Sequence, residues 1–439
     1  MDLLDPLFGW KVVDAAFVAT TTLQALLDVE AALARAQAEA GVIPPAAAAS
    51  IASCCDSARF DAAAIAAEAA AAGNVAIPLI RRLRALVERE AAEAAPYVHW
   101  GATSQDVMDT ALVLQLRAAL FMIDEELGRL TRVLAGLART HRATPMAGRT
   151  WMQQAVPITF GLEVAGWLGA VERERKRLWQ AAIAAAVLQL GGAAGSLAAL
   201  GERAPAVAEA MARALKLELP PLSWHAHRDR LAAVVTALGS ATGTLGKIAR
   251  DIALHAQTEV GELAEGGPGA SSTMPHKRNP VGAAVALAAA VRMPGLVSSF
   301  LAGMVQEQQR GLGGWPAEWE VVPQAVRLFA GALHRLTDAV AGLEIDAARM
   351  RANLEAARGL PWAEAAQMAL RQALGAARAH EIVSAASGRV RAEGRHLREL
   401  LAADPEVAAH LDAAALDRLF ALEPFVEAAA TLVDRALEP

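Results

Sequence analysis

Apolar positions between about Leu23 and Ala40 recur at the spacing of an amphipathic helix, which Gly41 and Pro44-Pro45 stop. Shorter alanine-rich helices follow, with turns at Gly73-Asn74 and Pro78 and an end at Pro96. From Asp106 to about His141 there is no proline and little glycine, which predicts a helix of about 35 residues, roughly 50 Å long. Further long segments are predicted from Pro157 to about Leu190, Asp229 to about Glu262, Pro280 onward, and Glu318 to about Leu343. Breaks near Gly359-Pro361, Gly394 and Pro405 divide the remainder into shorter helices. Helices this long are uncommon in ordinary globular domains, so several in one chain predict an elongated bundle. The pattern predicts an all-α chain of three helical domains: 1–100, a central long-helix bundle over 101–345, and 346–439.

One stretch stands apart. Leu178 to Gly201 carries no charge and is long enough to span a bilayer. It holds Gln180, Gln189 and a glycine cluster, and it is mostly alanine, which gains little from lipid. A buried helix at a bundle centre or subunit interface is the expectation instead.

Composition agrees with helices. The chain is 55% hydrophobic but only 4% aromatic, and alanine, the best helix former, dominates it. A net charge of −6 with no basic block gives no sign of nucleic-acid binding. Cys54 and Cys55 are adjacent, which favours reduced thiols, and the first residues lack the basic region of a signal peptide. A cytoplasmic protein with no membrane association is expected.

The residues that carry chemistry gather in islands. Gly269-Ala270-Ser271-Ser272-Thr273-Met274-Pro275-His276-Lys277-Arg278-Asn279-Pro280 follows a glycine-rich run and opens a long apolar segment. It brings together hydroxyls, a cation and the positive end of a helix dipole, which suits an anionic intermediate; a capped surface loop is the plainer alternative. His99-Trp100-Gly101-Ala102-Thr103-Ser104-Gln105-Asp106 precedes the first long helix. Thr103 and Ser104 there suit a carboxylate-binding corner, although Ser104 or Asp106 would serve equally as an N-cap. Gly148-Arg149-Thr150-Trp151-Met152-Gln153-Gln154-Ala155 and Trp224-His225-Ala226-His227-Arg228-Asp229-Arg230 precede the next two helices, and Gln309-Arg310-Gly311-Leu312-Gly313-Gly314-Trp315-Pro316-Ala317-Glu318-Trp319 opens the last. A basic cluster in an acidic chain fits a small polyanionic ligand, or else a salt-bridged turn. Of the remaining imidazoles, His99 abuts the hydroxyl corner, and His141 at a helix end reads as a favourable C-terminal cation.

These islands, in this order, resemble the fumarase/aspartase superfamily, with the Ser271–Asn279 run similar to its Gly-Ser-Ser-x-Met-Pro-x-Lys-x-Asn signature. The resemblance covers essentially the whole chain. It implies proton transfer next to a carboxylate, through an aci-carboxylate intermediate, by a homotetramer whose sites draw on three chains. Ser271 would move the proton, with Lys277 and His99 as further catalytic groups. Thr103, Ser104, Arg149, Gln154, Ser272, Asn279, Arg228 and Arg310 would bind a small polycarboxylate substrate. No metal or organic cofactor is implied.

The departures narrow the class. Adenylosuccinate and argininosuccinate lyases usually carry Gly-Arg-Thr-His where this chain has Gly148-Arg149-Thr150-Trp151, and adenylosuccinate lyases a His-Asp pair where Gly73-Asn74 stands. Both lost imidazoles would serve an amine or hydroxyl leaving group. A carboxylate attacks or leaves already ionised, so the chain looks like the lactone-forming cycloisomerases of this superfamily, in which one carboxylate of a diene acid adds to a C=C bond. Two alternatives stay open: a succinate-type lyase holding a nucleotide phosphate on Arg228 and Arg230, and a non-catalytic structural protein like the related lens crystallins.

Overall fold

The computed structural model describes residues 3–266, 274 and 277–438. Six helices carry the architecture: α1 (Ala19–Glu39), α2 (Ser104–Thr140), α3 (Phe160–Ala185), α4 (Asp229–His255), α5 (Val281–Ala302) and α6 (Gly314–Ala341). Their positions follow the expected segments in order, with α5 and α6 continuing through Pro294 and Pro323. Shorter helices make up most of the rest, as the all-α expectation requires.

The chain forms two compact units. One comprises residues up to Leu127, Arg173–Gly246 and Val285–Arg335; the other comprises Gly128–Glu172, Lys247–Ala284 and Leu336 onward. The division passes through each of α2 to α6. In the first unit α1 packs against the helices Pro45–Cys54 and Ala204–Leu215, burying Leu26, Leu27, Leu33 and Ile51. Both cysteines are free and buried there, and burial raises both thiol pKa values. In the second unit Leu370, Ile382, Leu397 and Leu400 centre the core of the final helices. Ala147, Leu354 and Trp362 form a smaller cluster beneath a hairpin.

That hairpin corrects one expectation. Pro157 does not start a helix. It lies in β2 (Gln153–Thr159), which pairs antiparallel with β1 (Pro145–Thr150), with an irregularity between Ala147 and Arg149. Thr150 faces Gln153, so Trp151 and Met152 form a two-residue turn, with φ of 49° and 65°. Positive φ at both positions is the geometry a right-twisted hairpin demands, but it normally selects Asn-Gly.

The uncharged stretch is a second correction. Helix α3 stops at Ala185, and the chain continues extended through Val187, which bridges to Glu218, into a glycine turn. Its backbone is satisfied without a helix: Gln189 N–H donates to Thr110 Oγ1, and that hydroxyl donates back to the Gln189 carbonyl at 2.9 Å.

By length and composition α4 and α5 could cross a membrane. Yet α5 carries Arg292 near its middle while leaving Val281, Val291 and Leu301 exposed.

Candidate functional site

In the first unit the site is organised around the start of α2. Thr103 and Ser104 stand at its N-terminus, where the first backbone amides lack helical partners. The Asp106 carboxylate reaches back to accept the Thr103 N–H at 3.0 Å, so this amide is occupied rather than offered to substrate. Asp106 also accepts the amides of Gly191 (2.8 Å) and Gly192 (2.9 Å), and His225 Nε2 lies 2.7 Å from its Oδ1. One buried carboxylate therefore ties the helix start to the glycine turn and to the Trp224–Arg230 island. Gly191 admits no side chain, since a Cβ would meet Ser223 and the His225 ring below 3 Å. Gly192 has φ of 67°, a conformation that favours glycine.

His99 packs beside this corner. Its Nδ1 lies 2.6 Å from Glu30 Oε1, whose side chain is fully buried. Burial opposes the imidazolium, but the Glu30 charge and hydrogen bond outweigh it and raise the His99 pKa. Ser104 Oγ sits 3.5 Å from Asn74 Nδ2. Asn74 Oδ1 accepts the Ala76 and Ile77 amides, so it caps a helix at the place where adenylosuccinate lyases carry their His-Asp pair.

Arg228 is the largest revision. Expected to bind substrate, it has a side chain with no exposed surface. Its guanidinium donates to both oxygens of Asp109 (2.7 and 3.0 Å) and both of Glu318 (2.6 to 3.0 Å), and its Cζ lies 4.7 Å from the Trp224 ring centroid. Its nitrogens are committed to these internal carboxylates, so Arg228 is part of the frame. Burial raises the Glu318 pKa, with Arg228 opposing that rise. Asp109 also accepts from Gln105, Gln189 and Trp315 Nε1. The Arg310 guanidinium, by contrast, makes one hydrogen bond among the described residues, from Nη2 to the Ala193 carbonyl at 3.1 Å, leaving donors for a carboxylate.

The second unit holds the other candidates. Arg149 donates to both oxygens of the buried Glu262, at 2.9 and 2.6 Å. Glu262 also faces His255 Nδ1 at 2.7 Å and accepts from Asn353; His255 Nε2 lies 3.2 Å from Glu163. Gln154 donates to the Asn353 carbonyl at 3.0 Å. Burial opposes charge on His255, but the two carboxylates outweigh it and lift its pKa to about 9. Burial likewise opposes ionisation of Glu262, and His255, Arg149 and Asn353 outweigh it, holding the carboxyl at about 2.

A histidine whose folded pKa is raised lends stability fully below its unfolded value of about 6.5 and loses it as pH rises. For His255 the loss runs through about pH 9. The Glu262 contribution is present above about pH 4.5 and is lost only as pH falls through about 2. Melting temperature should therefore fall between pH 6.5 and 9.5 more steeply in the native protein than in His255→Gln, with up to roughly 3 kcal/mol at stake. Parallel melting curves for the two proteins would refute the buried imidazolium.

His141 is also revised. Burial lowers its pKa, its Nδ1 lies 3.1 Å from Thr144 Oγ1, and its ring meets the Phe160 ring edge-on. Burial therefore disfavours the helix-end cation that the sequence suggests. Trp151 projects from the hairpin turn with 96% of its surface exposed.

Lys277 is exposed, with its amide donating to the Met274 carbonyl, and Asn279 is half-buried just ahead of α5. The sequence offers the positive end of α5 to an anionic ligand. Instead Glu265 accepts the Gly282 and Ala283 amides, at 2.9 and 2.8 Å, and neutralises it. Ser271 and Ser272 lie outside the described residues.

Sequence reasoning missed Gln105, Asp109, Gln189, His255 and Glu262 as determinants. The available signal for the first two was the polar run Gln105, Asp106, Asp109, Thr110 at helical spacing in the first turns of α2.

Hydroxyls at the start of α2, a Lys-Asn pair ahead of α5 and a buried ion network stand together on a scaffold of long helices. A family described as Lyase matches residues 10–295, and one described as Adenylosuccinate lyase C-terminus matches residues 359–436. The chain belongs to this lyase family, within the fumarase/aspartase superfamily. A Pseudomonas putida protein named 3-carboxy-cis,cis-muconate cycloisomerase is 50% identical over 418 residues, covering 94% of this chain and 99% of that protein. A Bradyrhizobium diazoefficiens protein of the same name is 48% identical, covering 99% of this chain and 97% of its own length. The solved structure of the 3-carboxy-cis,cis-muconate lactonizing enzyme from Pseudomonas putida matches with a TM-score of 0.93 at 48% identity, over 99% of this chain and 98% of that one.

Proposed function

We propose that this chain is a cycloisomerase that closes 3-carboxy-cis,cis-muconate to a carboxymuconolactone, a step in the breakdown of aromatic acids by the protocatechuate branch. One observation carries the substrate: likeness at 48–50% identity along nearly the full length of two proteins bearing that name. The chemistry is compatible. One substrate carboxylate adds to the C=C bond, and a proton is delivered to the carbon next to another carboxylate. The attacking group is already ionised, so an indole at Trp151 is no handicap where a lyase would need an imidazole.

In this reading Ser271 carries the carbon-bound proton, while Lys277 and Asn279 hold the carboxylate on which negative charge develops. Arg310 clamps a second carboxylate, and the Ser104 and Thr103 hydroxyls line the corner at the start of α2. The Arg149–Glu262 pair and Gln154 support the hairpin that presents Trp151. His99, held by Glu30 with its pKa raised, lies beside that corner.

The protein works as a cytoplasmic homotetramer whose active sites draw on more than one copy. Exposed Val281, Val291 and Leu301 on α5 support this, because an apolar helix with a central arginine suits burial between protein surfaces better than contact with lipid. No cofactor takes part in the reaction.

The test mixes purified protein separately with 3-carboxy-cis,cis-muconate and with adenylosuccinate and follows ultraviolet absorbance. Loss of the diene absorbance in the first alone is the expected result. Turnover of the second alone would establish a lyase, and turnover of neither would leave a structural protein on an enzyme scaffold.

A further inference from the structure

We propose that Asp106 is a positioning residue that sets two carboxylate-binding groups at once: the Thr103 corner directly, and Arg310 through the glycine turn. The inference rests on the reading of Thr103 and Arg310 as substrate-binding residues. The Asp106 carboxylate is buried and accepts four hydrogen bonds, two on each oxygen. Oδ2 holds the Thr103 amide and the Gly192 amide; Oδ1 holds the Gly191 amide and faces His225 Nε2. The next residue of the same turn, Ala193, presents its carbonyl to Arg310 Nη2. Asp106 and Arg310 are thus linked by three consecutive backbone units of a turn that Gly191 and Gly192 allow to pack tightly.

The Arg310 segment is tied from a second direction. Gln306 Nε2 donates to Glu318 Oε1 at 3.1 Å, Glu318 pairs with Arg228, and Arg228 pairs with Asp109, three residues along α2 from Asp106. Gln105, on the same turn of α2, donates to Asp109 and to the His225 carbonyl. Helix α2 therefore grips the arginine-bearing segment through a buried ion network on one side and through the glycine turn on the other. An ordinary N-cap aspartate needs only the amides of its own helix. Asp106 instead commits three of its four bonds to residues 85 to 119 positions away.

Asp106→Asn separates the two roles. Asparagine keeps one oxygen for two of the donors, but its amide group faces N–H groups with an N–H, so one pair of contacts is lost. We expect KM for 3-carboxy-cis,cis-muconate to rise about tenfold or more while kcat changes less than about threefold, alongside a lowered melting temperature. Arg310→Ala should raise KM similarly. In the double variant the two effects should not multiply, because each removes the same placed guanidinium. Unchanged KM in Asp106→Asn, or effects that multiply, would overturn the inference.

Should Asp106→Asn fail to fold, His225→Gln and His225→Phe make the comparison. Glutamine retains a donor to Asp106 and should hold KM near the native value, whereas phenylalanine should raise it; equal KM values would count against the inference. If the native protein leaves the substrate untouched, the functional reading fails and the structural link is still testable by amide exchange. The peptides spanning Leu190–Leu197 and Gln306–Gly314 should then exchange faster together in Asp106→Asn. Faster exchange in only the first would overturn the link.

Discussion

Arg228→Met is expected to be among the most destabilising single changes this chain can suffer. The substitution removes the cation that faces Asp109 and Glu318 and leaves two carboxylates buried side by side. Asp109 keeps three neutral donors, from Gln105, Gln189 and Trp315, but among the described residues Glu318 keeps only Gln306. Removing one partner of a buried ion group typically costs about 3–5 kcal/mol, because the remaining charge is neither solvated nor paired. Glu318, whose pKa burial already raises, would respond by taking up a proton. Chemical denaturation of the variant should show that loss directly, with the folded fraction improving as pH is lowered toward the carboxylate range. Adding Glu318→Leu should recover part of it, since apolar replacement of a buried ion pair is often neutral. A variant that keeps its stability but binds substrate poorly would restore Arg228 to the substrate-contacting role that its sequence island suggests.

The arginines explain where the sequence stops being legible. Arg228 and Arg310 both sit in short charged islands ahead of long helices, and nothing local distinguishes them. What separates them is partners 119 and 90 positions from Arg228, which no window on the sequence brings together. The long helices are readable because they depend on local terms: alanine content, and starts at Ser104 and Asp229. The hairpin was not, because Trp151-Met152 adopts a turn that ordinarily announces itself with Asn-Gly, and because Pro157 reads as a helix start. The stretch from Leu178 onward misled for a related reason. Absence of charge reports burial, and a buried extended segment satisfied by Thr110, Asp106 and Trp224 is as uncharged as a buried helix. Candidate chemistry is proposed from residue type alone at Lys277 and Asn279. It was obscured where one carboxylate was needed to neutralise a helix end, as Glu265 does for α5.

The largest loss of activity should come from Ser271→Ala. In the proposed reaction the nucleophile is the substrate's own carboxylate, so the demanding step left to the protein is moving a proton to or from a carbon beside another carboxylate. A positioned acid–base group contributes about 10²–10⁴-fold to such a step, and here Trp151 offers no second proton carrier at the hairpin turn. The loss should fall on kcat, because Lys277, Asn279 and Arg310 would still hold the carboxylates; KM should stay within about threefold. Ser272→Ala supplies the control. A neighbouring hydroxyl that only binds substrate should shift KM and leave kcat within about tenfold. Stopped absorbance measurements at saturating substrate separate these outcomes. If Ser271→Ala retains kcat within a factor of about five while Ser272→Ala loses it, the proton belongs to Ser272. If neither variant slows turnover, the carboxylate chemistry stands without a serine, and His99, held by Glu30, becomes the group whose removal must be measured.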